Sequence, residues 1–137
     1  MYNKNKNIPP FGGIFKNKKV LITGHTGFKG SWLTTWLIKL GANVYGISDQ
    51  IPTKPSMFEV AKIEKKINHA FCDVCDLDSL FSHVSNIKPN FIFHLAAQSV
   101  VSVSQKDPVN TIRTNVMGTV NMLEVLKLLD LDCTAIF

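Results

Sequence analysis

At 137 residues, 45% hydrophobic and 18% charged, the chain is long enough for one globular domain that buries roughly two-thirds of its unfolded surface, and too short for two ordinary ones. No apolar run reaches the ~18 residues of a membrane span. Pro9, Pro10 and the pair Gly12-Gly13 also interrupt the stretch after Lys4 and Lys6 where a secretory leader would have its core, so a cytoplasmic protein with no membrane partner is expected. The net charge of +5 comes from fourteen lysines and one arginine scattered along the chain. Nucleic-acid readers rely on arginine forks or clustered basic stripes, so no nucleic-acid partner is expected.

Residues 1–16 are rich in Asn and Lys, then in Pro and Gly, and read as a flexible arm ending in an apolar anchor, Phe11 to Phe15, ahead of an ordered domain over 17–137. Residues 20–23 predict a first strand buried on both faces, because the apolar residues run on without alternation. Gly24, Gly27 and Gly30 follow at three-residue spacing. In a strand–turn–helix context such glycines serve a tight turn, close backbone approach to a pyrophosphate, and close packing of helix on sheet. The amides that open the helix then face an anion with the macrodipole behind them. Trp32, Leu33, Trp36, Leu37 and Leu40 recur at helical spacing and predict its sheet-facing stripe, with Gly41 as the C-terminal stop.

A second strand is predicted over 43–47, ending at Ser48-Asp49. An acid about 20 residues past the glycine turn suits the hydroxyls of an adenosine ribose, and equally suits a surface turn. Pro52 and Pro55 lead into a short helix near 57–62. The third strand is expected over 67–72, and Asp76 as N-cap of a helix over 77–87 that Pro89 ends. Cys72 and Cys75 form a C-x-x-C, but it closes a strand instead of opening a helix and has no second ligand pair. Three cysteines without a secretory leader read as reduced thiols, these two as small semi-buried residues, with no metal site.

Residues 91–97 predict a fourth strand running into a small-residue loop, with His94 read as hydrogen-bonded structure. Residues 99–106 read as a polar loop at the mouth of the site. A long helix is expected from Asp107-Pro108 to about Leu129, with Ile112, Val116, Val120, Leu123, Leu126 and Leu129 as its apolar positions. Asn115 is either solvated or able to reach the end of the fourth strand. Residues 133–137 begin a fifth strand, on which the chain stops; the sheet is expected to be a truncated one. The alternation predicts an α/β fold, a Rossmann-type doubly wound parallel sheet of order 3-2-1-4-5 with right-handed crossovers.

T-G-H-T-G-F-K-G at 23–30, D-V-C-D at 73–76, H-L-A-A-Q at 94–98 and T-N-V-M-G-T at 114–119 resemble the N-terminal half of the extended short-chain dehydrogenase/reductases that act on nucleotide sugars. H-T-G-F-K-G-S-W-L at 25–33, P-T-K-P-S-M-F-E at 52–59 and the glutamine after the double alanine resemble the branch that dehydrates CDP-glucose. The resemblance covers residues 14–137.

It implies NAD as cofactor and a nucleotide sugar, CDP-glucose, as substrate. In that family hydride leaves C4 of the hexose for NAD, the ketone acidifies the C5 proton, water leaves from C6, and the hydride returns to C6. By motif position, Gly24, Gly27 and Gly30 are implied at the pyrophosphate, Asp49 at the ribose, and Asp73 and Val74 at the adenine, with Thr26, Phe28, Lys29 and Ser48 also implied as cofactor-binding. Leu95, Ala96, Ala97 and Gln98 are implied at the ribose and nicotinamide, with Asn115 in support and the long helix as part of a homo-oligomer.

Two departures stand out. The acid of the second strand's exit falls about one position early, and residues 101–105 lack the arginine and tyrosine often found there in the dehydratase. The family's catalytic Ser/Thr, its Tyr-x-x-x-Lys pair and the dehydratase acid and base follow the fifth strand, so the chain is expected to carry a cofactor half-site without proton-transfer machinery and without catalytic residues of its own. An epimerase or reductase of the same family, or a non-catalytic dinucleotide-binding module, shares most of these motifs.

Overall fold

The computed structural model describes residues 9–137; Lys4, Lys6 and the first half of the expected arm lie outside the described residues. The centre of the sheet is β1 (Lys19–Thr23), whose Val20, Leu21 and Ile22 have no exposed surface. It pairs in parallel with β2 (Asn43–Ser48) on one side and β4 (Phe91–His94) on the other. Outside these lie β3 (Asn68–Phe71) and β5 (Thr134–Ile136), giving the predicted order β3-β2-β1-β4-β5.

Alternate side chains of each strand point to opposite faces, so the sheet has two apolar layers. On one face Leu21, Ile47 and Ile92 pack with Leu80 and Val84 of α3 (Leu77–Ile87) and with Met122 and Val125 of α6 (Gly118–Leu129). On the other, Val20, Ile22 and Val44 pack with Leu37 of α1 (Phe28–Lys39), and Phe15, Leu33, Phe91 and Phe93 are partly buried beside them. Asp76 caps α3 as expected, its Oδ1 accepting from Ser79 N at 3.1 Å. Gly41, at φ +81°, ends α1 in a Schellman turn. Its N–H bonds Ile38 O and the N–H of Ala42 bonds Leu37 O, both at 3.0 Å.

Three expectations need correction. The buried face of α1 is Gly30, Ser31, Thr34 and Leu37, while Trp32 and Trp36 are 56% and 51% exposed. The cause is Gly30, the point where the helix lies closest to the turn. Residues two further along project roughly 200° around the helix axis, away from the sheet. Phe11 then packs edge-on against Trp36 at 5.3 Å.

Second, part of the expected loop over 99–106 is helical, as α4 (Val101–Lys106), with its first turn tied by Ser104 N to Val100 O. Third, the long helix is interrupted. α5 (Pro108–Ile112), capped by Asp107, leads into a π-helical turn, Arg113–Met117, before α6 begins. Ile112, Val116, Val120 and Leu123 are exposed, and the buried positions are Gly118, Met122 and Val125, with Leu126 and Leu129 partly buried. Gly118 fixes this orientation, since a Cβ there would stand 2.6 Å from Val74 Cγ2.

Among the described residues, no helix is long and apolar enough to cross a membrane. Cys72, Cys75 and Cys133 are free thiols, and partial burial pushes all three above the usual thiol range.

Candidate dinucleotide site

All strands run parallel, so the exits of β1 to β4 share one edge of the sheet, where α/β proteins place their ligands. The turn off β1 fills the middle of it. Gly24 adopts φ +74°, its N–H bonds Ile47 O at 2.7 Å, and a Cβ would come within 2.8 Å of the Leu95 carbonyl. Gly30 is tighter still, with a Cβ position 2.1 Å from Gly24 O and 2.7 Å from His25 Cα. Gly27 differs: a Cβ would touch only Gly24 O, at 3.4 Å, so its open side is available to a ligand. As N-cap of α1, Gly27 provides no side chain to bond the first-turn amides, and Phe28 and Lys29 are exposed beside them. The uncapped N–H groups and the positive end of the helix dipole make an anion cradle.

The exit of β2 is stitched to this turn. Thr26 N donates to Ser48 Oγ at 3.3 Å, and Thr26 Oγ1 donates to Gln50 O at 2.6 Å. Between those two anchors Asp49 is exposed. Thr26 and Ser48 are nearly fully buried and brace the turn from beneath.

At the exit of β3, Asp73 accepts from Cys75 N through Oδ1 at 2.8 Å and pairs with Arg113 through Oδ2 at 2.9 Å. Partial burial pushes its carboxyl up, but the Cys75 amide and the Arg113 guanidinium outweigh it and hold the group below the usual carboxylate range. Val74 is buried beneath Gly118, and its carbonyl accepts from Asn121 Nδ2 at 3.0 Å.

The exit of β4 is held by two polar side chains. Thr23 Oγ1 accepts from Leu95 N and Ala96 N, both at 3.1 Å, which leaves its own O–H to donate to His94 Nδ1 at 2.9 Å. His94 is therefore neutral with its proton on Nε2, consistent with burial pushing it below the usual histidine range. Asn115 grips Gln98 twice, its Oδ1 accepting from Gln98 N at 2.7 Å and its Nδ2 donating to Gln98 O at 3.0 Å. Ala97 lies between these anchors. The solvated alternative for Asn115 is thus replaced by a structural one, and the π turn that carries it also carries Arg113.

Residues that sequence reasoning did not single out complete the site. His25, inside the glycine motif, has no exposed surface and lies over Gly46, where a Cβ would come within 2.4 Å of its ring. The available signal was Gly46 itself, since a glycine in mid-strand marks a close approach by another group. Burial drives His25 down to about 4, reinforced by His69 and opposed by the Ile47 backbone. Tyr2 has Lys6 four residues on, the spacing of a Tyr-x-x-x-Lys pair, but both precede β1 and lie outside the described residues.

The sheet order and the glycine turn at the strand exits define a Rossmann-type α/β domain, and the matches that follow place it in the extended short-chain dehydrogenase/reductase class. The chain belongs to the family described as GDP-mannose 4,6 dehydratase, whose model matches residues 21–137. It is 43% identical over 114 residues to the CDP-glucose 4,6-dehydratase of Salmonella typhimurium, across 83% of this chain and 32% of that one. It is 33% identical over 130 residues to the GDP-mannose 4,6-dehydratase of Vibrio cholerae, across 88% of this chain and 34% of the relative. Among solved structures it resembles the UDP-glucose 4-epimerase of Thermus thermophilus in complex with NAD, with a TM-score of 0.72 and 27% identity, covering 82% of this chain and 35% of that one. The chain thus spans about a third of the length of the relatives it matches.

Proposed function

We propose that the chain is the NAD-binding part of a nucleotide-sugar 4,6-dehydratase that acts on CDP-glucose. The observation that carries the cofactor reading is the turn at Gly24, Gly27 and Gly30, where two missing Cβ atoms are required by packing and the third leaves open backbone at an uncapped helix start. A dinucleotide fits this donor set: amides and a helix dipole for the pyrophosphate, Asp49 for the ribose hydroxyls, Asp73 for the adenine edge, and the braced loop of Leu95, Ala96, Ala97 and Gln98 for the nicotinamide half. The chemistry a bound NAD would supply is reversible hydride acceptance. The chain's own residues bind and orient, with Asn115 fixing the loop through Gln98.

The CDP-glucose assignment is supported by the 43% identity to a relative of that name. A cytoplasmic location and a homo-oligomer formed through the exposed apolar side of α5 and α6 belong to the same reading. Domain limits of 1–16 for the arm and 17–137 for the cofactor domain are part of it.

Calorimetric titration with NAD and NADP tests the cofactor assignment. Binding of NAD in preference to NADP is expected, because the Asp49 carboxylate repels a 2′-phosphate. Absence of NAD binding at millimolar concentration refutes the reading. CDP-glucose turnover, measured against UDP- and GDP-sugars in a protein extended through the Tyr-x-x-x-Lys pair, tests the substrate.

A further inference from the structure

The glycine turn and the exit of β2 are separate in sequence, yet they must present the pyrophosphate amides and the ribose carboxylate at a fixed spacing. One buried side chain lies under both. His25 Nδ1 is 2.9 Å from Ser48 Oγ, and the same hydroxyl accepts from Thr26 N at 3.3 Å. The Ser48 hydroxyl thus joins the two elements, hydrogen-bonded to the His25 ring on one side and accepting the Thr26 N–H on the other.

The ring's position is enforced on every side. Gly46 leaves it room beneath, Phe58 of α2 (Met57–Val60) meets it edge-on at 5.1 Å, and the His69 ring lies 5.4 Å away. The His25 backbone is held too, its carbonyl accepting from Ser31 Oγ at 3.1 Å in α1. The segment bearing Asp49 is therefore tied to the ring at Ser48 by a hydrogen bond and at Phe58 by packing, and Gln50 between them is tied to Thr26.

We propose that His25 is a positioning residue of the cofactor site, which through Ser48 locks the glycine turn to the exit of β2 and so keeps the pyrophosphate amides and the Asp49 carboxylate in one register. This rests on the dinucleotide reading for its functional meaning, while the lock itself is a property of the unliganded protein.

The test has two arms. In the free protein, amide hydrogen exchange of Thr26 is compared with that of Leu21 in the same sample, which corrects for overall stability. His25→Phe keeps the ring's bulk and removes Nδ1, and Thr26 is expected to lose protection by about threefold to tenfold relative to Leu21. Ser48→Ala is expected to show at least the same loss. His25→Asn, whose side-chain amide can hydrogen-bond the Ser48 hydroxyl in place of Nδ1, is expected to restore protection. Thr26 as well protected in H25F and S48A as in the unsubstituted protein overturns the proposal, and if H25F does not fold, S48A and H25N decide it.

The second arm is a double-substitution cycle on NAD affinity. Asp49→Asn should weaken binding about tenfold in the native background and less than about threefold in H25F, because the carboxylate is then no longer held in register. Losses that simply multiply overturn the coupling. If the unsubstituted protein does not bind NAD, the functional reading fails and the exchange arm alone judges His25.

Discussion

A methyl group placed in turn at Gly30 and Gly27 separates the packing duty of the glycine turn from its binding duty. At Gly30 the new carbon would lie 2.1 Å from Gly24 O and 2.7 Å from His25 Cα, both backbone atoms that cannot rotate aside. Restoring ordinary contact requires α1 to back away by about 1 Å, since non-bonded carbon contacts settle near 3.5 Å. That movement loosens the Leu37 layer and shifts the first-turn amides. Gly30→Ala should therefore cost about 1–3 kcal/mol of stability, the range for overpacking, and weaken NAD binding by about tenfold or more, as when a hydrogen bond to a charged group is lost.

At Gly27 the methyl meets only Gly24 O at ordinary contact distance, and φ is −70°, which any residue adopts. Gly27→Ala should cost less than about 1 kcal/mol yet still impair NAD binding, because the carbon occupies the open side of the turn. Urea melts and calorimetric NAD titration of the two variants measure both quantities. A Gly30→Ala protein with native stability and affinity, or a Gly27→Ala protein that binds NAD as before, refutes the division.

Acid should unfold the protein partly through His25. Its folded-state pKa, near 4, lies below its ordinary value of 6.5, so the unfolded chain takes up the proton first. Stability then falls as pH drops below about 6.5 and levels off below about 4, with about 2 kcal/mol lost between pH 7 and 5. Urea midpoints across that interval should fall less steeply in His25→Asn, and parallel curves would contradict this. His94 acts in the same direction and remains in both proteins. Replacing Trp32 and Trp36 together by lysine should change stability by no more than about 1 kcal/mol, as for surface positions, where core tryptophans would each cost about 3–5 kcal/mol; thermal melts distinguish the two. Val116→Asp with Leu123→Asp should convert a homodimer to monomer in light scattering without altering the circular dichroism spectrum, and a native mass unaffected by the pair argues against that helix face as the contact.

The sheet order was readable because strand, turn and cap signals are local: an unbroken apolar run at 20–22, glycines at fixed spacing, Asp76 before a helix, Gly41 after one. Which side of a helix faces the sheet was not readable from hydrophobicity. In α1 and α6 the orientation is set by a glycine, Gly30 against Gly24 and Gly118 against Val74, where backbone can approach most closely. The larger apolar residues then fall where that contact leaves them, the tryptophans of α1 and Ile112, Val116 and Leu123 of the long helix among them. The π turn added a further rotation that no residue between Arg113 and Met117 signals. Most of the candidate residues lie at or just past strand exits, with Phe28, Lys29 and Gly30 in the first turn of α1 and Asn115 in the π turn, but the braces beneath them, Thr23 under Leu95 and Ala96 and His25 under Ser48, act over sequence separations that spacing does not reveal.

That π turn has a mechanical consequence. Arg113 and Asn115 sit two residues apart on it, one holding the exit of β3 through Asp73 and the other the exit of β4 through Gln98. The exits of β3 and β4 therefore share one support, and a substitution that straightens the π turn is expected to loosen the Asp73 and Gln98 contacts together.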